Sequence, residues 1–441
     1  MKKLITAIGG KAKTLCPRCL YSQILAFYHF ALDVLEIPKI CIASWRICRS
    51  VATISKKNSR VRFGFYVISE ATFQMRSVFT AMLSDDLFDP FIVVVPMLGG
   101  DQKESSDKAR KTYDSLVAKY PERVFEGIVN DVPNSRIEQC DACAIMNPYR
   151  HMTNRLFTIE HFACCGKPVF MVPYSYFNGT IWAREFYSLS THSFVYRFFC
   201  SNEFELACAR KYNRSLRKQG RVVITGNPKT DGICERIKKR PGKRTVLIAP
   251  HHSVVPDDTV GFNIGNFLTY SDLILSLPSR YPEIRWIFRP HPLLQMRLIN
   301  DAGWTQCRWH EYVDKLMEAG DVVYDAGGSY YDSFGESDAM IQDCGSFLPE
   351  YFFTGKPQCY LLANEAVAAR QFDAYGQTLL SHVYKAYSAR QILDFIDEVV
   401  IAGHDTMKGE RDSFAKEHLM VNHPHVGEAV LKEIKIALRR A

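Results

Sequence analysis

The stretch Ser337-Asp-Ala-Met-Ile-Gln-Asp-Cys-Gly-Ser-Phe-Leu-Pro-Glu-Tyr-Phe-Phe-Thr-Gly-Lys-Pro357 decides how the fold is interpreted. Its apolar start predicts a short buried strand over 339–342, and the small residues after Asp343 predict a turn. A helix is expected over about 348–354, because the Gly-Lys-Pro at its end stops it. A second strand is expected over 358–362. The stretch therefore predicts one strand–turn–helix–strand unit of a parallel sheet.

A turn of small residues between a strand and a helix favours anion binding. The first backbone N–H groups of the helix have no partner there, and the helix dipole points at the turn. Gly345 allows close approach of the backbone, and the Ser346 hydroxyl can bond a phosphate oxygen. Glu350 lies one turn further on, where a carboxylate could hold ribose hydroxyls. An ordinary strand–helix turn without a ligand is the alternative.

Strands and helices alternate through most of the chain, which predicts an α/β protein with two Rossmann-like domains. A basic Pro/Gly piece over 238–244 is typical of a linker between them. The length of 441 residues agrees with two to three domains. The predicted divisions are a basic N-terminal extension over 1–60, a first α/β domain over 61–235, a second over 236–410 and a C-terminal helix over 411–441.

Three predicted strands of the second domain end in polar residues. Open α/β sheets bind ligands at the carboxyl ends of their strands, so these residues are expected to meet. Histidines, an arginine and a small-residue turn at one edge predict a site for a phosphate-bearing ligand. The residues are His251 and His252 after the strand over 245–249, Arg289 and His291 after the strand over 284–288, and Asp343, Gly345 and Ser346 after the strand over 339–342.

The net charge of +8 comes from the N-terminal part, because residues 1–62 carry 12 Lys or Arg and two acids. The apolar stretch over 20–45 is interrupted by charged residues and Pro38, so it predicts neither a transmembrane span nor a secretory signal. Apolar and aromatic residues with basic flanks predict an amphipathic segment on an anionic membrane surface. A basic helical extension packed on the core is the alternative. The segment has no nucleic-acid-binding motif, so nucleic acid is not an expected partner.

Most of the 14 cysteines stand alone in apolar runs, which is typical of a reducing compartment. Two Cys-x-x-Cys pairs occur, Cys16/Cys19 and Cys140/Cys143. A structural zinc ion needs four ligands, and neither pair has a regularly spaced second pair. We therefore expect a cytoplasmic protein without a metal ion.

Three motifs in the second half resemble the CDP-glycerol glycerophosphotransferase family, the teichoic-acid-type primases and polymerases. The resemblance extends over roughly residues 60–440. The motifs are Thr225-Gly-Asn-Pro-Lys-Thr-Asp231, Arg289-Pro-His-Pro292, and the pattern Asp343-x-x-Ser346-x-x-x-Glu350-x-x-x-Thr354-Gly-Lys-Pro357.

The resemblance implies a GT-B fold, with two domains facing a cleft. It also implies a CDP-alcohol donor bound by the second domain, and a lipid-linked or glycan acceptor on the first, at the inner face of the cell membrane. Arg289 and His291 match a motif tied to the donor phosphates and the chemistry. Ser346 and Gly345 match the family's phosphate turn, and Glu350 matches an acid of the same helix. No cofactor is expected.

The acceptor side departs from the family pattern. The family has Trp-His-Gly-Thr there, and its His is the candidate general base, whereas this chain has Tyr176-Phe-Asn-Gly-Thr180. An asparagine cannot act as a base. The acceptor-side candidates are therefore Asn178, Gly179, Thr180 and Glu70, and the other candidate bases are Glu160, His161 and His192.

In the leading interpretation, an acceptor hydroxyl attacks the β-phosphorus of the CDP-alcohol and CMP leaves. Arg289, the turn at Gly345 and Ser346, and a protonated His291 would stabilise the developing charge. The ordinary pKa of histidine, ~6.5, suits an acid that protonates the leaving phosphate.

Three alternatives remain. A GT-B glycosyltransferase for capsule or lipopolysaccharide would bind the donor phosphates in the same way. A weaker resemblance connects the Thr-Gly-Asn turn and the Asp343 to Glu350 helix start to UDP-N-acetylglucosamine 2-epimerases, although their Arg-x-x-Glu-Asn motif is absent. A membrane-bound scaffold without activity is the non-enzymatic alternative.

Overall fold

The computed structural model describes residues 18–98, 102–237, 242–254 and 264–440. They form two compact units, each built around one parallel sheet and each assembled from separate stretches of chain. The first-sheet unit contains residues 25–175, 185–231 and 421–440, and the second-sheet unit contains 18–24, 176–184 and 232–420. The predicted linker falls partly on residues 238–241, which lie outside the described residues.

The first sheet has seven parallel strands in the order β3-β2-β1-β6-β7-β8-β9. Its strands, with the short hairpin β4–β5, are β1 (Val61–Val67), β2 (Phe88–Val94), β3 (Val124–Glu126), β4 (Ile128–Val129), β5 (Val132–Pro133), β6 (Ala142–Ile145), β7 (Val169–Met171), β8 (Arg197–Cys200) and β9 (Val222–Ile224).

The second sheet has six parallel strands in the order β12-β11-β10-β13-β14-β15. They are β10 (Arg244–Ala249), β11 (Ile284–Phe288), β12 (Val322–Tyr324), β13 (Ala339–Gln342), β14 (Gln358–Leu361) and β15 (Tyr384–Ala386). The central strands are buried almost throughout, as expected for parallel strands covered by helices on both faces. The predicted α/β class with two Rossmann-like units is confirmed.

Helices connect the strands in both units. The helices that belong wholly or partly to the first-sheet unit are Arg18–Leu35, Ile37–Ile54, Arg76–Leu83, Gln102–Lys119, Ile159–Cys164, Thr180–Tyr187, Glu203–Tyr212 and Val426–Ala437. In the second-sheet unit they are Asp231–Cys234, Phe267–Arg280, Leu294–Asp301, Gln306–Glu318, Tyr331–Glu336, Phe347–Glu350, Glu365–Gln371, Ala374–Ser381, Ala389–Asp394 and Lys408–Phe414, with π-helical turns over Phe395–Ile401 and Ala415–Leu419.

Two N-terminal helices, Arg18–Leu35 and Ile37–Ile54, meet at Glu36, and Pro38 lies in the first turn of the second helix. From residue 25 onward they belong to the first-sheet unit. The buried Glu36 carboxylate accepts a hydrogen bond from Arg150 Nη2 at 3.0 Å, and Arg150 also pairs with the buried Glu160. The helix pair is therefore fixed to this unit by buried ion pairs.

No helix among the described residues is both long and apolar enough to cross a bilayer.

The helix Val426–Ala437 packs against Arg76–Leu83 in the first-sheet unit. Both carboxylate oxygens of Asp231 accept backbone N–H bonds from its first turn, Val426 N at 3.1 Å and Gly427 N at 2.8 Å. Asp231 is the last residue of the Thr-Gly-Asn-Pro-Lys-Thr-Asp motif. The end of that motif therefore caps the helix Val426–Ala437.

Candidate active site

The carboxyl ends of β11, β10 and β13 are adjacent in the second sheet and carry the predicted polar residues. His251 follows β10, Arg289 follows β11 and Asp343 follows β13. The chain after β11 is fixed to the end of β10, because His291 N donates to Pro250 O at 2.9 Å. The structure thus brings the three predicted strand ends together at one edge.

Three imidazoles form a cluster at this edge. The ring centroids of His251 and His252 are 4.0 Å apart, and those of His252 and His291 are 4.2 Å apart. His251 and His291 are 5.5 Å apart, so all three rings touch or nearly touch. Adjacent cationic rings would repel one another, so this packing favours uncharged imidazoles.

Burial lowers the pKa of His291 to about 3, with a further decrease from His252. Burial, together with nearby Arg297, lowers the pKa of His252 to about 4. Burial therefore disfavours a charged His291 in the ligand-free protein, and a protonated His291 beside a bound donor phosphate stays a prediction. Leu293 N donates to His291 Nδ1 at 3.1 Å, which leaves the ring proton on Nε2. The neutral ring can donate from Nε2 to a phosphate oxygen.

Asp343 is fully buried and supports the loop that carries the histidines. Its two carboxylate oxygens accept backbone N–H bonds from His251 at 2.6 Å and from Asn266 at 2.5 Å. Burial raises the pKa of this carboxyl to about 6, although these two hydrogen bonds lower it. Its oxygens face protein N–H groups, so in this structure Asp343 positions the loop.

The predicted phosphate turn follows β13. Cys344 N donates to Gln342 Oε1 at 2.7 Å, which fixes the start of the turn. Gly345 is buried and Ser346 is half-buried, and among the described residues no hydrogen bond involves the Ser346 hydroxyl. The helix Phe347–Glu350 then continues as a 3₁₀ turn over Tyr351–Thr354.

Three ionisable residues, Asp343, Arg289 and Glu350, act on the turn. Burial raises the pKa of the Cys344 thiol well above its usual value, Asp343 raises it further, and the Arg289 charge lowers it. Glu350 also raises this pKa, so both Arg289 and Glu350 lie near the turn. Glu350 is fully buried beside Tyr330, whose pKa burial and Glu350 both raise. A ribose contact from Glu350 stays a prediction.

The segment Tyr176–Arg184, predicted within the first domain over 61–235, belongs to the second-sheet unit. Asn178 is fully buried, and its Nδ2 donates to Gly345 O in the phosphate turn at 2.7 Å. Its backbone carbonyl accepts from Asp373 N at 3.0 Å, and Gly179 pairs with Phe372. A Cβ at Gly376 would lie 2.4 Å from Asn178 O, so a glycine is required there. Asn178 therefore braces the turn.

Thr180 is half-buried and begins the helix Thr180–Tyr187. Thr180 thus belongs, with Asn178 and Gly179, to the same unit as the phosphate turn. Any acceptor contact from these three residues remains a prediction.

The other acceptor-side candidate, Glu70, lies in the first-sheet unit. Burial would raise its pKa, but hydrogen bonds from Lys119 and Ser115 and the charge of Arg76 lower it to about 2. Arg76 Nη2 lies 3.0 Å from Glu70 Oε1. A carboxylate this acidic is a weak proton acceptor at neutral pH.

The remaining candidate bases are also in the first-sheet unit. His192 is fully buried, and burial lowers its pKa to about 3. Burial and two nearby cations lower the pKa of His161. Glu160 is buried, pairs with Arg150 and accepts from Thr191 Oγ1 at 2.5 Å. Each of these groups already has a structural environment that explains it.

Sequence patterns did not single out the loop after β12. Asp325 in this loop forms an ion pair with Arg289, and Gly328 O accepts from Arg289 Nη2 at 2.7 Å. The Gly327-Gly328 pair could have indicated this loop, since adjacent glycines at a strand end often mark a backbone turn that other residues rarely adopt.

No cluster of three or more metal-binding side chains occurs among the described residues. Cys140 and Cys143 are buried free thiols, and Cys16 lies outside the described residues. A cavity of about 830 Å³ lies near Tyr384, Phe395 and His404, and none of the predicted site residues lines it.

No known protein-family profile matches the chain, and no curated protein matches its sequence. Solved structures match over most of its length. The wall teichoic acid polymerase TagF is 10% identical, with a TM-score of 0.56 over 94% of this chain and 98% of that chain. UDP-GlcNAc 2-epimerase from Neisseria meningitidis, bound to UDP-GlcNAc, is 13% identical, with a TM-score of 0.55 over 87% and 100%. S. aureus MnaA with UDP is 13% identical, with a TM-score of 0.52 over 87% and 98%.

These similarities define the fold class. At 10–13% identity they show a shared architecture, and that architecture is GT-B. The predicted GT-B fold is therefore confirmed.

Proposed function

We propose that the chain is a transferase that moves a polyol phosphate unit, of the glycerol phosphate type, from a CDP-activated donor. The acceptor is a hydroxyl of a membrane-associated glycan or lipid in bacterial surface polymer synthesis. The observation that carries this proposal is the meeting of Arg289, the imidazole cluster and the small-residue turn at one edge of the second sheet. Such groups bind phosphates and stabilise charge on phosphoryl oxygens.

In the proposed reaction, the acceptor oxygen bonds to the β-phosphorus as the bond to the bridging oxygen breaks. CMP leaves with the electrons of that bond, and the proton of the acceptor hydroxyl is released. His291 Nε2–H, the Ser346 hydroxyl and Arg289 bind the phosphoryl oxygens. Phosphoryl transfer depends mainly on such positioning and charge stabilisation, so the proposal assigns no base to Asn178.

The structural similarity to TagF supports the donor class, since one structure of that polymerase was obtained after soaking with CDPG. The test is a binding panel of CDP-glycerol, CDP-ribitol, CMP and UDP-sugars by isothermal calorimetry, followed by a CMP-release assay. We expect CDP-alcohols to bind more tightly than UDP-sugars, and CMP to appear with acceptor present. Binding of UDP-sugars alone would contradict the donor assignment.

A second candidate function is a UDP-sugar enzyme of the GT-B class, either a glycosyltransferase or a 2-epimerase. The similarity to UDP-GlcNAc 2-epimerases over 87% of the chain favours it. The products separate the candidates, because phosphotransfer releases CMP and glycosyl transfer releases a nucleoside diphosphate. An epimerase would convert a UDP-sugar without any acceptor.

The membrane part of the proposal rests on the two N-terminal helices. Seven large apolar side chains between residues 27 and 45 are exposed, the densest such group in the described chain. Phe27, Phe30 and Val34 recur at helical spacing, so they lie on one face. The seven side chains are Phe27, Phe30, Val34, Leu35, Ile37, Ile42 and Trp45.

The exposed charges of these helices are positive. Lys39, Arg46 and Arg49 are exposed, whereas Glu36 is buried and Asp33 accepts a hydrogen bond from Ser193. The Arg49 guanidinium lies over the Trp45 ring at 4.8 Å. Exposed aromatic and aliphatic side chains with cations fit the interface of an anionic bilayer.

This part is tested by flotation with vesicles of phosphatidylglycerol and phosphatidylcholine. We expect co-flotation with the anionic vesicles and its loss in Phe27→Asp/Trp45→Asp. Val132→Asp is the matched control, because Val132 is equally exposed elsewhere in the same unit. Equal flotation of the double variant and wild type would contradict membrane contact by this surface.

A further inference from the structure

The loop after β12 holds the Arg289 side chain from one side. It starts at Asp325, whose N–H donates to Phe288 O at the end of β11 at 2.9 Å. Arg289 directly follows Phe288, so the loop and the arginine lie side by side. The loop contains two consecutive glycines, Gly327 and Gly328.

Both terminal nitrogens of the guanidinium bond to this loop. Nη1 forms the ion pair with Asp325 Oδ2 and lies 3.4 Å from Gly327 O. Nη2 donates to Gly328 O at 2.7 Å. Arg289 is only 7% exposed, and Asp325 is its single salt-bridge partner in the described part of the chain. Its orientation is therefore set by these contacts.

Asp325 is itself held in place. Its Oδ2 also accepts a hydrogen bond from the Ser333 hydroxyl, and Gly327 N lies 3.3 Å from its Oδ1. Gly327 and Gly328 have φ values of 143° and 83°, which other residues rarely adopt. The backbone turn that directs the glycine carbonyls to Arg289 thus requires glycine.

One edge of the guanidinium remains available. Arginine has five N–H groups, and side-by-side N–H groups bind a phosphate through two parallel hydrogen bonds. Within the described residues Nε makes no hydrogen bond, and Nη2 makes one. The Nε–Nη2 edge is therefore the edge left for a ligand, on the opposite side from Asp325.

We propose that Asp325 is a positioning residue that, together with Ser333, orients Arg289 so that its Nε–Nη2 edge binds the phosphates of the nucleotide donor. The proposal rests on the proposed function, because it concerns the same phosphate site. Asp325 does not touch the ligand. It acts only through Arg289.

The test is a double-mutant cycle on binding of CDP, measured by calorimetry or by competition at millimolar concentrations. Asp325→Asn keeps the side-chain shape and removes the charge. We expect this variant to bind CDP about 10-fold more weakly, because a misoriented Arg289 loses one of its two parallel hydrogen bonds to the phosphate. In an Arg289→Gln background, the same Asp325→Asn change should alter the dissociation constant less than about twofold. If the two substitutions weaken CDP binding independently, so that the fold-losses of the single variants multiply in the double variant, the proposal is overturned.

Controls separate positioning from a role in folding. Asp332→Asn removes an exposed acid from the next helix, and it should leave CDP binding unchanged. Asp325→Glu should bind CDP better than Asp325→Asn, because it restores the charge. If Asp325→Asn does not fold, Ser333→Ala carries the same cycle, with an expected loss of about threefold. A lower melting temperature with unchanged CDP affinity would overturn the proposal.

The two proposals fail in different ways. Wild-type protein that binds neither CDP nor UDP would overturn the proposed function and with it the role of Asp325. Wild-type protein that binds CDP, with an Asp325→Asn variant that binds it equally well, would overturn only the positioning role.

Discussion

Ionisable side chains at the carboxyl edge of the first sheet are bonded to one another, whereas those at the second sheet include three imidazoles that pack together and whose pKa values burial lowers. Glu70 after β1 is surrounded by Lys119, Ser115 and Arg76. At the second sheet, His252 and His291 have lowered pKa values of about 4 and about 3. An anion at the first edge must disrupt ion pairs, but at the second it meets imidazole N–H donors and the Nε–Nη2 edge of Arg289 while the Arg289–Asp325 ion pair stays in place. This difference favours the second edge as the phosphate site.

The largest expected effect is at the second edge. His291→Ala removes the N–H donor that we propose for the phosphoryl oxygens, and we expect CMP release to fall by about 10³-fold. The melting temperature should change little, since the half-buried imidazole has no ion pair with any described residue and loses only the hydrogen bond from Leu293 N. His310→Ala, at an exposed position on the helix Gln306–Glu318, is the matched control. Near-normal turnover of the His291→Ala variant would contradict the assignment of the phosphate site to the second edge.

Substitution of Arg150, the ion-pair partner of two buried carboxylates in the first-sheet unit, should lower stability and leave nucleotide binding unchanged. Arg150→Met leaves the buried carboxylates of Glu36 and Glu160 without their cation, which we expect to destabilise the fold by about 3 kcal/mol. The melting temperature should fall by about 8 °C, with nucleotide affinity unchanged. Arg155→Met, at an exposed position, is the control. Weaker nucleotide binding in Arg150→Met at a temperature where it is folded would contradict the assignment.

The imidazole cluster also predicts a pH dependence of binding. A bound phosphate favours the protonated imidazoles, so it raises the pKa values of His252 and His291 from about 4 and about 3. Binding then takes up protons, and affinity rises as pH falls. His251 and Arg297 lie near these rings, and their charges oppose the uptake.

The measurement is calorimetry of CDP-glycerol in two buffers with different ionisation enthalpies. CDP-glycerol suits it because its phosphates do not titrate between pH 5 and 8. We expect the dissociation constant to decrease about fivefold from pH 7.5 to 5.5. His252→Asn should reduce this slope. A dissociation constant that increases as pH falls would contradict the cluster's role.

The smallest expected effect concerns the end of the helix after the phosphate turn. Gly355 has a φ of 68° and ample space around its Cα, so Gly355→Ala adds backbone strain and no clash. We expect a loss of about 1 kcal/mol in unfolding free energy with unchanged CDP binding. Gly403→Ala, at a similar φ of 75°, is the comparison variant. A change in CDP affinity with Gly355→Ala would extend the site beyond the turn.

Much of the fold follows from local patterns in the chain. The strand predicted over 339–342 matches β13, because a short apolar run next to a small-residue turn is a clear signal. The strands that end before His251 and Arg289 were likewise found where predicted. Strand ends then place these side chains at one edge, because parallel strands share a direction.

The site details could not be predicted, since they depend on contacts between distant residues. Nothing in the sequence around Asn178 indicates that it braces Gly345, 167 positions away. The charge state of His291 depends on burial and on the neighbouring His252, which its own motif does not reveal. The ion pair of Arg289 with Asp325 likewise joins two strands whose pairing only the structure shows.

The scattered make-up of the two units has a consequence for synthesis on the ribosome. The phosphate turn needs Asn178, which emerges long before Gly345, and the first-sheet unit needs the helix Val426–Ala437, made after the whole second sheet. Domains usually fold in order of translation. Here the Asp231 carboxylate has no helix to cap, and the Arg76–Leu83 helix lacks its packing partner, until residues 426–437 have been translated. During that interval we expect the nascent unit to expose apolar surface that chaperones bind.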